Sequence, residues 1–213
     1  MFDAAKHLGA VTRAVEDSTH EGTPVKVVVA SRTYPTDVAD LWDAVTDPER
    51  IARWFAPVSG DLEVGGRFQV EGNADGEVLT CDQPKHLAIT WEFAGDTSWV
   101  DLHLEEATDG ATLVLRHAAD VRGNEHMATY GPGAVGVGWE LGLMGLAEYL
   151  AAGTGVSHED AEAWGTSPDG KAMMTAAATA WGEADALVSD DPDASRAAAQ
   201  RTAAFYTGAE PPA

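Results

Sequence analysis

Residues 86–118 read HLAITWEFAGDTSWVDLHLEEATDGATLVLRHA. Leu87, Ile89, Trp91 and Phe93 alternate with Ala88, Thr90 and Glu92. A period of two describes a strand with one buried and one wet face. Val100, Leu102 and Leu104 repeat the pattern over residues 99–105, and Leu113, Leu115 and His117 over residues 112–118. Gly95-Asp96 and Thr108-Asp109-Gly110 supply the turns between them, the second carrying the Asp-Gly pair that tight hairpins favour. The segment therefore folds as an antiparallel meander.

The same reading extends outward on both sides. Upstream, Pro84 and the Gly72–Gly76 loop set off strands over residues 67–71 and 77–82, and Gly65-Gly66 turns the chain into the first of these. The β-branched run VKVVVASRTY, residues 25–34, predicts the leading strand. Between them, Thr36 caps a helix carrying Val38, Leu41, Trp42 and Val45, and Asp47-Pro48 opens a second short one. Ala4, Leu8, Val11 and Val15 stand at helical spacing, which predicts a short N-terminal helix over residues 1–17, within a region of residues 1–22.

Downstream, Pro132-Gly133 opens a long helix over residues 134–152. Val135, Trp139, Leu143, Leu146 and Leu150 form one stripe, but Val137, Leu141 and Met144 lie off it, and only Glu140 and Glu148 are charged. A helix so apolar all round has to be covered on more than one side. Residues 154–213 contain three helix starts, at Ser157, Ser167-Pro168 and Asp191-Pro192. Met173, Met174, Ala177, Trp181 and Val188 make a stripe there, with Glu183 and Asp185 expected to turn away from it. This tail is expected to pack on the domain of residues 23–153, within one chain or exchanged in a homodimer.

Thirty-five acidic against thirteen basic residues give a net charge of −22, which repels phosphate and argues against nucleic acid or anionic membrane as partner. No apolar run is long enough for a membrane span, and the N-terminus has no signal-like apolar region, so a cytoplasmic location is expected. Cys81 stands alone, which excludes an internal disulfide and a cysteine-based zinc site.

Asp47-Pro48-Glu49-Arg50-Ile51, Arg53-Trp54-Phe55, the turn Val64-Gly65-Gly66-Arg67-Phe68, Trp91-Glu92 and residues 113–117 before the long helix resemble the START-like (SRPBCC, birch-pollen-allergen) superfamily. Within it the resemblance is to bacterial homologues of the activator of heat-shock protein 90 ATPase, over residues 25–152. It implies an α+β helix-grip fold: a curved antiparallel sheet wrapped around the long helix, here with a short N-terminal helix and an all-helical C-terminal extension. Members of the superfamily bind lipids, hormones and polyketides, some are cyclases or aromatase-like enzymes, and the eukaryotic namesake stimulates a chaperone.

A curved sheet gripping one helix closes its ends less tightly than its middle. The large side chains expected there are Trp54, Phe55, Phe68, Trp91, Trp139 and Met144. Aromatic rings and methionine give contact area at small entropic cost. His117 shares the inward face with Leu113 and Leu115, either as a core histidine or facing a ligand, and it is the one candidate for proton transfer. No nucleophile elbow, phosphate loop or zinc motif occurs, and neither a metal site nor a cofactor is expected. The expectation is a binding protein for a small apolar or aromatic molecule of lipid or polyketide type. The alternatives are a cyclase or hydrolase acting on such a ligand, and an interaction protein of the chaperone-activator type.

Overall fold

The alternation over residues 86–118 is realised as a continuous antiparallel ladder. In the structure, a computed structural model that describes residues 3–155 and 157–210, strands β6 (His86–Phe93), β7 (Asp96–Ala107) and β8 (Gly110–Asp120) lie side by side. Leu87 faces Leu102, which faces Leu115; Ile89 faces Val100, which faces His117; Trp91 faces Ser98, which faces Ala119. These rows form one side of a curved, eight-stranded antiparallel sheet that also contains β1 (Thr12–His20), β2 (Thr23–Tyr34), β3 (Val58–Gly60), β4 (Arg67–Val70) and β5 (Asp75–Asp82). Its order is β1-β2-β8-β7-β6-β5-β4-β3. The fold is α+β, of helix-grip type.

The chain divides into two compact units, one of residues 3–30, 120–141 and 157–210, the other of residues 31–119 and 142–155. The second holds most of the sheet. Its helix α2 (Val38–Thr46) starts at Asp37, whose carboxylate accepts from the Asp40 amide, while Thr36, the expected cap, donates instead to the Asp40 carboxylate. Helix α3 (Pro48–Ile51) is capped by Asp47 and begins with proline, where no amide is needed. The part of α5 (Gly133–Ala152) in this unit is fastened by its Leu143 carbonyl, which accepts from the Tyr34 hydroxyl at 3.2 Å and the buried Arg32 guanidinium at 3.4 Å.

The other unit corrects the reading of the N-terminus. Helix α1 covers only Ala4–Ala10, and Thr12–His20 is strand β1. Val11 and Val15 are four apart, which suits a helix, but with Arg13 between them they also fit alternation, and both are buried. The turn into β2 decides it: Glu21 and Gly22 both have positive φ, 48° and 82°, the backbone that a two-residue hairpin requires.

The first half of α5 also belongs to this unit, together with α4 (Glu125–Tyr130), α6 (His158–Thr166), α7 (Pro168–Ala186) and α8 (Pro192–Thr207). Met173, Met174, Ala177 and Trp181 of α7 are buried, whereas Val188 is exposed. A methyl group added at Gly136 would stand inside the Trp181 indole, so that glycine is what lets α7 approach α5. The Tyr206 hydroxyl donates to the Ala134 carbonyl at 2.6 Å, and Thr202 to that of Tyr130 at 2.7 Å. Asp185, expected to face water, is buried instead, held by Lys26 at 2.9 Å and Ser195 at 2.7 Å. Glu140, deep in the apolar helix, meets Arg13 in a two-pronged pair with both distances 2.6 Å.

Candidate functional site

The inner face of the sheet is not uniformly covered. Val100, Leu102 and Leu104 of β7 and Leu113, Leu115 and His117 of β8 are buried, but Leu87, Ile89 and Trp91, in the same rows on β6, remain partly open. They border a small cluster of Phe68, Val70 and Val78, and Phe55, Ala56, Val58 and Leu62 pack on that cluster from the loops. Together these residues make an apolar wall left half-open on the inner face of the sheet.

Local sequence explains how the aromatic residues arrive there. Helix α3 ends after one turn, and the chain bends at Trp54-Phe55-Ala56-Pro57. The Trp54 indole N–H donates to the Ala44 carbonyl of α2 at 2.9 Å, which fixes that ring. Gly142 of α5 leaves room for the Trp54 and Phe55 rings, where an added methyl would make ordinary contacts of 3.6–3.8 Å. Gly145, one turn on, lets the Trp54 backbone come close to the helix. A chain of ring contacts then runs from Trp54 to Phe55 (5.5 Å), to Trp91 (6.5 Å) and to the His117 imidazole (6.4 Å, edge-on).

His117 is the polar end of this chain. Its Nε2 lies 2.8 Å from the Ser98 hydroxyl, and that hydroxyl donates to the Trp91 carbonyl at 2.9 Å. Ser98 has one proton to give and gives it to the carbonyl, so its oxygen accepts the Nε2–H of His117. Burial pushes the imidazole pKa down to about 4, so the ring is neutral at physiological pH. A histidine in that state donates at Nε2 and does not act there as a base. Burial against α5, where it donates to the Leu143 carbonyl, raises the Tyr34 hydroxyl well above its ordinary range.

Of the seven residues expected at the site, the structure joins Trp54, Phe55, Phe68, Trp91 and His117. Met144 is buried on the α5 turn that carries Gly142 and Gly145. Trp139 stands, half-buried, on the part of α5 that belongs to the other unit, and no role at this wall is assigned to it. Ser98 escaped the sequence reading because β7 begins at Asp96, three residues before the expected start. The signal was present in the tight Gly95 turn, which places Ser98 opposite Trp91. The one group of side chains with metal-ligand spacing among the described residues lies elsewhere, on β6 and β7 at His86, Asp101 and His103.

The family model of Activator of Hsp90 ATPase homolog 1-like protein matches residues 35–151, the stretch that contains this wall. The chain belongs to that family. Solved structures extend the likeness. The crystal structure of CalU16 from Micromonospora echinospora is 36% identical, with 73% of this chain and 96% of that one covered and a TM-score of 0.59. Its solution structure aligns over 93% of this chain and 94% of that one, with 28% identity and a TM-score of 0.64, so the likeness reaches into the helical tail. DynU16, from the dynemicin biosynthetic locus, is 27% identical over 61% of this chain and 48% of that one, with a TM-score of 0.54. No match is found among curated proteins. The family lies within the SRPBCC, or START-like, superfamily.

Proposed function

We propose that this member of the family is a cytoplasmic binding protein for an apolar or aromatic small molecule, held against the wall of Trp54, Phe55, Phe68, Trp91, His117 and Met144. The observation that carries the reading is the half-open row Leu87, Ile89 and Trp91, flanked by half-buried Trp54 and Phe55. An aliphatic ligand placing ten methylenes there would gain roughly 8 kcal/mol gross at ~0.8 kcal/mol each, enough for micromolar affinity after association costs. A relative from the dynemicin biosynthetic locus is in keeping with a molecule of polyketide type as the ligand. Among the described residues no helix is long and apolar enough to cross a membrane.

A hydrolase or cyclase would need a base. The His117 imidazole, protonating only near pH 4 and committing Nε2–H to Ser98, is suited to holding a position and not to abstracting a proton. The reading is tested with Nile red, a neutral dye that the net charge of −22 does not repel. One saturable site per chain is expected, with quenching of tryptophan emission, and Trp91→Ala should weaken it by roughly tenfold, equivalent to the ~1.4 kcal/mol of a lost ring contact. Absence of saturable binding, or binding that Trp91→Ala leaves unchanged, would overturn it.

A further inference from the structure

On the face of the sheet opposite the wall, register brings His86 beside Asp101 and His103 of the next strand. His86 of β6 is the direct cross-strand partner of His103 of β7, and Asp101 lies two residues before His103 on the same face. One ligand atom from each of the three lies within 4.8 Å of the others. His86 Nε2 and Asp101 Oδ1 are already 3.0 Å apart. From these positions we infer that His86, Asp101 and His103 form a surface site for a divalent transition-metal ion such as Zn2+, with water completing the coordination.

The chemistry of the donor set fits. Two imidazoles and one carboxylate are the ligands of many zinc centres that keep an open position. Metal–ligand bonds of about 2.0–2.1 Å place tetrahedral ligand atoms about 3.3 Å apart, close to the His86–Asp101 separation. The ion takes the place of the proton between these two groups, and that proton passes through water to Nδ1 of the same ring. His103 has further to move. Its ring is stacked on that of His86, with centroids 4.3 Å apart and planes 7° apart, and parallel rings cannot aim their lone pairs at one point. His103 is exposed, so a side-chain rotation is available at small cost.

The surrounding charge both helps and opposes. The chain as a whole is strongly acidic and Glu105 follows on the same strand face, which favours a cation. Arg116 of β8 is the cross-strand partner of Asp101 and acts electrostatically on His103, so its guanidinium works against an incoming ion. That opposition gives the inference its sharpest test. Removing Arg116 should strengthen binding at this site and at no other.

The experiment uses the full chain, stripped with EDTA and dialysed, titrated with Zn2+ by calorimetry and with Co2+ by visible absorption. Uptake of one ion per chain is expected. His86→Asn and His103→Asn should each weaken it by at least about tenfold, with loss of the Co2+ bands, while Arg116→Gln tightens it several-fold. Circular dichroism and thermal melts of the asparagine variants verify that the sheet is intact. Lack of stoichiometric uptake would overturn the inference. So would full affinity in the double variant His86→Asn/His103→Asn, or an affinity that Arg116→Gln leaves unmoved.

Discussion

Helix α5 meets a tryptophan twice, and the two meetings differ. In its first half, Gly133 and Gly136 receive Trp181 of the tail, which is wholly buried. In its second half, Gly142 and Gly145 receive Trp54, which stays half-open beside Phe55 and Trp91. At Gly133, Gly136 and Gly145 the device is the same: a glycine removes the side chain that would hold an aromatic ring or a backbone away. In one unit the fit is closed on all sides and is core. In the other the ring is pinned by one hydrogen bond to Ala44 and left half-open beside Phe55. The sequence already sets the two apart, Trp181 in the stripe of the tail and Trp54 among the expected site residues, and the structure adds the difference in enclosure.

Replacement of the two rings should expose the difference most strongly. Trp181→Ala empties a fully enclosed site and should cost about 3–5 kcal/mol, read from urea unfolding. Trp54→Ala forfeits partial burial and one hydrogen bond, so about 2 kcal/mol is expected. Equal costs would mean that Trp54 is core as well, and the wall reading would lose its footing.

Acid provides the next largest effect. The His117 imidazole protonates near pH 4 when folded, against an ordinary value of 6.5, because burial disfavours its cation. The unfolded chain therefore takes this proton first. The stability that the neutral ring contributes is complete above pH 6.5 and declines as pH falls to 4, by about 3 kcal/mol in all. His117→Gln keeps the hydrogen-bonding shape but does not titrate, so the stability gap between the two proteins should change by that amount over this window. A gap independent of pH would show that the ring is not enclosed.

The smallest effect is a contrast of sign within one helix. Alanine at Gly136 would place its methyl in the Trp181 indole and should destabilise by about 1–3 kcal/mol. Alanine at Gly142 makes only ordinary contacts and raises helix propensity, so it should stabilise by up to about 1 kcal/mol. Thermal unfolding of the two single variants decides it, and destabilisation by both would mean that the second half of α5 is packed as tightly as the first.

What could be read in the sequence follows the range of the interactions. Strand β6 occupies residues 86–93 as expected, because alternation and flanking turns are local signals. Ring contacts among Trp54, Phe55 and Trp91 followed from size and parity on a known type of fold. Long-range pairings stayed invisible. Nothing near Glu140 signals a partner 127 residues earlier, and only the folded chain shows Arg13 there. The burial of Asp185 depends in the same way on Lys26, and the opposition of His86 and His103 on a strand register. At the N-terminus the failure was of another kind: a spacing of four satisfies both periods, and the deciding turn at Glu21-Gly22 carries no Asn or Asp to announce it.

The glycines of α5 also bear on the order of events in folding. Five of its twenty residues are glycine, which together cost about 4–5 kcal/mol of intrinsic helix stability relative to alanine. A segment so constituted has little helicity before its neighbours arrive. It should be unformed in the transition state, with alanine-to-glycine substitutions on its surface changing unfolding rates far more than folding rates. The meander, whose hairpins close over short turns, is then the element that forms early, and the helix that the sheet grips is gripped late.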